Sequence, residues 1–144
     1  MKISGSFIFD LGANDVNLVK NGEIYRLITH MFLHGGIIHI FFNMYSLYIV
    51  GPRVEDFYGK WKFLIIYLFS GLSGGLLSIA MNSSGVGASS AIFGLFGALL
   101  YFGYNYRGYI GSMIRSQILP IVIYNLLMGF LLRLISLNLA VSLY

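Results

Sequence analysis

The sequence predicts an all-α, polytopic membrane protein. The 144 residues are 58% hydrophobic and only 10% charged, with a mean hydropathy of +0.80, which is too apolar for a soluble domain of this size. The apolar residues are grouped in blocks that short polar stretches separate. Together these observations favour one membrane domain over residues 1–144, with about four transmembrane helices.

Composition also excludes several kinds of site and partner. The chain has no cysteine, which excludes a disulfide framework, a thiol nucleophile and a cysteine metal site. We expect neither a metal ion nor a cofactor. The formal net charge of +4 suits an anionic membrane surface. Nucleic acid is not expected as a partner, because the basic residues are scattered singly between apolar blocks.

The first 36 residues are predicted to form a structured or interfacial region before the transmembrane helices. Charged residues recur at short intervals as far as Arg26, which leaves no apolar stretch of about 20 residues. An apolar run with two histidines, His30 and His34, then extends from Leu27 to Gly36. Residues 1–10 lack the apolar core and cleavage site of a signal peptide.

Four apolar segments are predicted to cross the membrane as helices. They are Ile37–Val50, Phe63–Ala80, Ala88–Tyr104 and Gln117–Leu132. We thus divide the domain into a first-loop region (1–36), a transmembrane region (37–132) and an atypical tail (133–144). The tail is apolar, but as a helix it would reach only about half of the hydrocarbon thickness.

The charges in the loops predict the orientation of these helices. Basic residues lie in Gly51–Lys62 and Tyr104–Arg115, whereas Met81–Gly87 carries no charge. By the positive-inside rule, the two charged loops face the cytoplasm and the uncharged loop faces out. Ser89 and His39 are then expected at similar depths, near the outer leaflet.

The candidate functional stretch is Gly87–Gly94, where a polar loop ends and an apolar helix begins. Ser89 falls in the first turn of this helix, where free N–H groups and the helix dipole favour an anion. Gly87 has no Cβ, so a substrate backbone could approach closely. A hydroxyl beside unused donors is half of an acyl-transfer site. The alternative interpretation is that Ser89 only caps the helix.

A polar face on the first predicted transmembrane helix is a second candidate. His39, Asn43 and Ser46 recur at i, i+4 and i+7, which places them on one side of the helix. Because polar side chains are costly against lipid, this side should contact protein or a water-filled cavity. Hydrogen bonding between helices is the alternative explanation for the same pattern.

Two patterns of small residues predict close helix packing. Gly71 and Gly75 form a G-x-x-x-G pair, which we interpret as structural. Ala91, Gly94 and Ala98 form a stripe on the third predicted transmembrane helix. We expect this stripe to face a helix that the chain does not supply, so that it favours self-association or another partner helix.

Taken together, these residues resemble the rhomboid family of intramembrane serine proteases. Gly87-Ala88-Ser89 is similar to the family's G-x-S nucleophile motif at the head of its fourth transmembrane helix. The spacing of His39 and Asn43 is similar to the H-x-x-x-N motif in its second helix. The resemblance implies that Ser89 is the nucleophile and that His39 and Asn43 stabilise the oxyanion.

Other positions support or weaken this resemblance. Ser90 stands where the family usually has glycine, which predicts poorer packing or restricted substrate access there. Three matches precede the third predicted span: the Tyr25-Arg26 pair in place of a W-R pair, the first-loop histidines His30 and His34, and Glu55 at the inner end of the second helix. Ala91–Gly94 also matches, and in it Phe93 is similar to an aromatic that packs on the catalytic histidine.

The resemblance extends over roughly residues 14–130 and includes the second to fifth helices of a six-helix core. The first and sixth helices are not evident, so we expect a core truncated at both ends. In the family the sixth helix carries the histidine that acts as general base. This sequence has no histidine after His39, so no general base is found and Ser89 would lack its usual activation.

Three functional hypotheses follow. The first is a serine endopeptidase core in a bacterial plasma membrane, which cleaves transmembrane protein substrates near the outer face, with activity limited by the missing base. The second is an inactive pseudoprotease or client-binding membrane protein. The third is a small transporter or channel, in which the side formed by His39, Asn43 and Ser46 lines the path.

Overall fold

The computed structural model describes residues 5–106 and 108–127, except for the side chains of residues 5, 6, 109 and 110. Within these ranges the chain is helical apart from turns and one isolated bridge, which confirms the all-α class. The helices are α1 (Gly5–Asp10), α2 (Val16–Lys20), α3 (Arg26–Thr29) with a 3₁₀ turn (His30–Phe32), α4 (Ile37–Tyr58), α5 (Lys60–Ala80), α6 (Ser89–Asn105) and α7 (Tyr109–Met113) with a π-helical turn (Ile114–Ile118).

The chain divides into two compact units after Phe102. All of the candidate site residues lie in the first unit. Within the part that the structure describes, α5 is the helix that is long and apolar enough to cross a bilayer by itself. The segment from Arg26 to Phe32 and the helix α4 meet the same criteria when they are taken together, with a bend of 91° between them.

The prediction of a loop over Gly51–Lys62 is wrong. Helix α4 does not end at Val50 but continues to Tyr58, and a single residue, Gly59, connects it to α5. Gly59 has a φ of +82°, a conformation that favours glycine. The prediction failed because the apolar run ends at Val50, whereas a helix can continue into water as long as its residues tolerate helical geometry.

Packing against α6 explains why the last turns of α4 stay helical. The ring of Phe57 stacks on Phe102 with 4.5 Å between the centroids. The hydroxyl of Tyr58 donates a hydrogen bond of 2.9 Å to the carbonyl of Ala98. These contacts fix the polar extension of α4 beside α6.

The predicted loop Tyr104–Arg115 is also mostly helical. Helix α6 continues to Asn105, and α7 begins at Tyr109, well before the predicted start of the fourth span at Gln117. Helical structure then extends as far as residue 127. The predicted end of the fourth span and the atypical tail, 133–144, lie outside the described residues.

The G-x-x-x-G pair of α5 is structural, as predicted, but its neighbour is the short α3 segment and not one of the four predicted spans. A Cβ on Gly71 would overlap the side chain of Met31. A Cβ on Gly75 would lie 2.7 Å from His30 Nε2 and 3.3 Å from the carbonyl of Leu27. The two glycines therefore allow the α3 segment and its 3₁₀ turn to pack directly on α5.

The prediction that the small-residue stripe of α6 is open to a further helix is wrong. A Cβ on Gly94 would overlap the side chain of Ser70 and lie 3.6 Å from the carbonyl of Ile66, so α5 already covers this position. Ala91 is fully buried. In contrast, Gly97 is exposed, and a Cβ there would have no heavy atom of the described chain within 4 Å. The stripe therefore no longer supports self-association.

Candidate active site

The loop before Ser89 is fixed by backbone hydrogen bonds to the first-loop region. Asn14 and Gly85 form an antiparallel bridge, in which Asn14 N donates to Gly85 O at 3.1 Å and Gly85 N donates to Asn14 O at 2.9 Å. Gly87 N donates to the carbonyl of His30 at 2.9 Å. The loop thus has a defined position before the helix of Ser89 begins.

Side chains strengthen this attachment. The hydroxyl of Ser84 donates to Asp15 Oδ2 at 3.1 Å and accepts from Val16 N at 3.4 Å. Asp15 also caps α2, because its Oδ1 accepts from the backbone N–H groups of Asn17 and Leu18 at 2.9 and 3.0 Å. A hydrogen bond from the N–H of Leu18 makes the largest contribution that lowers the pKa of the Asp15 carboxyl. Hydrogen bonds from Ser84 and Asn17 lower this pKa further.

Arg26 holds the segment that carries Asn14. Its side chain is only 6% exposed. Nη1 donates to the carbonyls of Phe9 and Ala13 at 2.6 and 3.1 Å, and Nε donates to Glu23 Oε2 at 2.7 Å. Hydrogen bonds from Tyr25 and Arg26 lower the pKa of Glu23. The Tyr25-Arg26 pair therefore organises the first-loop region on which the Ser89 loop rests.

The polar face of α4 meets this loop at Gly87. A Cβ on Gly87 would lie 2.7 Å from His39 Cε1, 2.8 Å from His39 Nε2 and 3.8 Å from Asn43 Nδ2. Gly87 also has a φ of +124°, which side-chain-bearing residues rarely adopt. Both the conformation and the lack of space require glycine here, and the absent side chain is what allows the His39 ring to reach the loop.

The three polar residues of α4 share a side that faces protein, as their spacing predicted. Asn43 and Ser46 are 5% and 1% exposed, while His39 is half-buried. Asn43 Nδ2 donates to the carbonyl of His39 at 3.0 Å. Because an amide nitrogen carries two hydrogens, Asn43 retains a second donor for another acceptor.

The two first-loop histidines lie behind this contact. The ring of His34 packs edge-on against that of His39, with 5.2 Å between the centroids. Neither ring nitrogen of His34 has a hydrogen-bond partner among the described residues. His30 instead packs its ring against Gly75, and its carbonyl accepts from Gly87. His30 and His34 thus support the loop and the His39 ring.

Ser89 is the first residue of α6 and is exposed. Ile92 N donates to the carbonyl of Ala88 at 3.0 Å, so Ala88 and not Ser89 occupies the capping position. The N–H groups of the first turn, including that of Ser89, precede this first intrahelical bond. The capping interpretation of Ser89 is therefore not supported.

Ser90 does not loosen the packing, contrary to the expectation from its place in the motif. Its Cβ and Oγ occupy the space that a Cβ on Gly74 would need. Gly74 of α5 thus provides the room that a glycine at position 90 would otherwise provide. The two helices still approach closely beside Ser89.

Comparison with known proteins identifies the family. A sequence profile described as the Rhomboid domain matches residues 21–143. The chain belongs to the rhomboid family. Rhomboids are membrane-integral proteins, and the family includes proteases that act on membrane proteins within the bilayer. No solved structure matches this rhomboid significantly.

Curated relatives of this rhomboid include proteins of Bacillus subtilis, Arabidopsis thaliana and Toxoplasma gondii. The chain is 42% identical over 120 residues to the rhomboid protease GluP of Bacillus subtilis, which is 83% of this chain and 24% of GluP. It is 46% identical over 94 residues to RHOMBOID-like protein 5 of Arabidopsis thaliana, which is 62% of this chain and 30% of that protein. The chain thus spans a quarter to a third of the length of these two relatives.

The sequence motifs predict Ser89, His39, Asn43 and Gly87 as site residues, but they give no sign of the residues that hold the loop before Ser89. The contribution of Asn14, Asp15 and Ser84 depends on contacts between residues about 70 positions apart, which a single sequence does not reveal. Among the described residues, no group of three or more histidine, aspartate or glutamate side chains could hold a metal ion.

Proposed function

We propose that this rhomboid is a serine endopeptidase core in which Ser89 is the nucleophile toward membrane-protein substrates. The observation that carries the proposal is the contact of His39 and Asn43 with the turn at Gly87, two residues before Ser89. Two motifs that are 44 residues apart, at positions 43 and 87, thus meet at the turn that precedes Ser89. The proteases among its relatives support the same reaction class.

In the proposed reaction, the Ser89 hydroxyl oxygen attacks the carbonyl carbon of a substrate peptide bond. The carbonyl oxygen then becomes an oxyanion, which needs donors that are already in place. The backbone N–H of Ser89, the His39 ring and the free hydrogen of the Asn43 amide are the proposed donors. Gly87 keeps the His39 ring beside the turn that precedes Ser89, since any side chain at position 87 would collide with that ring.

The weak point of this reaction is the base that must accept the Ser89 proton. The sequence has three histidines. The ring of His30 packs on Gly75, that of His34 packs on His39, and His39 is the proposed oxyanion donor. We therefore propose that the 144-residue chain, taken alone, is slow in acyl transfer, because a serine without a base is a weak nucleophile. The same observation favours the inactive, client-binding alternative.

Labelling with a fluorophosphonate probe tests this proposal on the reconstituted chain. We expect weak labelling that Ser89→Ala abolishes and that Ser73→Ala, on the exposed side of α5, leaves unchanged. Strong labelling that is lost in Ser89→Ala would contradict the slow reaction and would mean that His30, His34 or a partner chain supplies the base. Labelling that persists in Ser89→Ala would contradict the role of Ser89 itself.

The proposed site faces the outer side of the membrane, because Met81–Gly87 is the uncharged loop. The cysteine-free chain allows a test with single cysteines. Ser83 and Asp56 are both exposed and lie on segments of opposite predicted orientation. We expect a membrane-impermeant maleimide added to intact cells to label Ser83→Cys but not Asp56→Cys. The reverse pattern would overturn the outer location of Ser89.

A further inference from the structure

The start of α5 carries a tryptophan between two lysines. Trp61 is the single tryptophan of the chain and is 75% exposed. Lys60 and Lys62 are also exposed. Because successive helical residues are about 100° apart, the two lysines diverge to either side of the ring.

This group lies at the end of the helix that is most suited to crossing the bilayer. Helix α5 spans Lys60–Ala80, so Trp61 falls in its first turn, where tryptophan and lysine favour the boundary between hydrocarbon and water. Ile65 and Phe69 follow Trp61 along α5 at intervals of four residues. They are 56% and 65% exposed. The three side chains form one continuous apolar strip along the outside of the helix.

The lysines are available for an external anion. The exposed carboxylates nearest in sequence are Glu55 and Asp56, at the end of α4. Among the described residues, no ion pair joins either carboxylate to Lys60 or Lys62. Two ammonium groups without a carboxylate partner thus lie beside the ring of Trp61.

We propose that Lys60, Trp61 and Lys62 bind the headgroup of an anionic phospholipid of the phosphatidylglycerol class, with an acyl chain along Ile65 and Phe69. The lipid phosphate supplies the negative partner that neither lysine has among the described residues. The apolar strip supplies a surface for the acyl chain. A zwitterionic lipid would contact the same strip, but its choline would repel the lysines. The binding does not depend on the chemistry of Ser89.

Trp61 provides its own probe, because all tryptophan fluorescence of the chain comes from it. The full chain is reconstituted into phosphatidylcholine vesicles that contain a small fraction of brominated phosphatidylglycerol or, in parallel, of brominated phosphatidylcholine. Bromine quenches the fluorescence of Trp61 on contact. Each lysine should increase the binding of the anionic lipid about fivefold. We therefore expect markedly stronger quenching by the anionic lipid than by the zwitterionic lipid.

Variants separate the headgroup contact from simple insertion. We expect the double variant Lys60→Gln, Lys62→Gln to reduce quenching by the anionic lipid to the level of the zwitterionic lipid. Lys60→Arg, Lys62→Arg should keep the preference, and Lys20→Gln, at an exposed site on α2, should not change it. Circular dichroism verifies that each variant remains helical.

Three results would overturn the proposal. The first is equal quenching of the unaltered chain by the two brominated lipids. The second is a preference that survives in the folded double glutamine variant. The third is loss of the preference in the folded variant Lys60→Arg, Lys62→Arg, because arginine keeps the positive charge that the proposal requires.

Discussion

The two ends of the α4–α5 pair are held together by different forces. At the end near Ser89, the loop that follows α5 is fixed by directional hydrogen bonds with the backbones of Asn14 and His30. At the opposite end, Gly59 alone connects the helices, and aromatic packing of Phe57 on Phe102 fixes them to α6. The end near Ser89 is thus held by polar contacts with a defined geometry. The end at Gly59 is held by apolar contacts, with charged residues around them.

The difference indicates how this fold separates stability from site geometry. Apolar packing stabilises in proportion to buried area and tolerates small shifts, whereas hydrogen bonds weaken steeply when their geometry changes. A catalytic loop needs the second kind of restraint. Substitutions at the end near Ser89 should therefore disturb the loop, and those at the other end should affect stability or lipid contact alone.

The largest effect is expected at the helix interface that both ends share. Gly94→Leu would force a side chain into the space of Ser70, which should cost on the order of 3 kcal/mol in the free energy of unfolding. Gly97→Leu is the matched control on the same helix, because the space there is open. Unfolding titrations in detergent micelles measure both. Equal losses would show that α5 does not cover Gly94.

A smaller effect, about 2 kcal/mol, is expected for Arg26→Met, which removes hydrogen bonds to the buried carbonyl of Ala13 and to that of Phe9. Loss of this support should also speed amide hydrogen exchange at Gly85, since that N–H bonds to Asn14 in the same segment.

The control for Arg26→Met comes from the other end of the helices. Tyr58→Phe removes the hydrogen bond to Ala98 O and should lower stability by about 1 kcal/mol. It should leave exchange at Gly85 unchanged. If the two variants accelerate exchange at Gly85 alike, the two ends are not independently restrained.

The smallest effect concerns the pH dependence of the loop attachment. The folded-state pKa of Asp15 is depressed below its ordinary value of 3.8, so its stabilising contribution is complete above that value and is lost as the pH falls toward the folded-state pKa. Asp15→Asn should therefore flatten the acid limb of stability, with the share due to Glu23 remaining. Ser84→Ala, which removes the hydroxyl that donates to Asp15 Oδ2, should flatten it less, because the hydrogen bonds from Asn17 and Leu18 remain. Acid titration of unfolding distinguishes the two variants.

Much of the fold could be predicted because bilayer burial leaves a clear pattern in sequence. The apolar runs located α5 and α6 to within three residues at each end. The failures came where helices leave the apolar run, as at Val50, since hydropathy measures burial in lipid and not helical geometry. The extension of α4 depends on the ring of Phe102, which local reasoning does not connect to Phe57.

The candidate site shows the same division. The common side of His39 and Asn43 followed from helical periodicity, and the proximity of both to Gly87 agrees with the depth expected from loop charges. The stripe at Gly94 was assigned to the wrong neighbour, because a small residue indicates close packing without indicating which helix approaches. The bridge between Asn14 and Gly85 could not be predicted from the sequence, since neither residue type is unusual in a polar loop.

The proposed site depends above all on the contact of the His39 ring with the turn at Gly87. Nuclear magnetic resonance of the full chain in micelles, with labelled glycine and histidine, measures this contact directly. We expect a short-range nuclear Overhauser effect between the α protons of Gly87 and the Hε1 proton of His39, since a Cβ on Gly87 would lie 2.7 Å from Cε1.

Gly75 and the Hδ2 proton of His30 provide the internal reference, because a Cβ on Gly75 would lie 3.4 Å from His30 Cδ2. Both cross-peaks together would support a loop that places Ser89 beside the polar face of α4. A cross-peak between His30 and Gly75, with none between His39 and Gly87, would show a folded chain in which the two motifs do not meet. That result would contradict the account of the site.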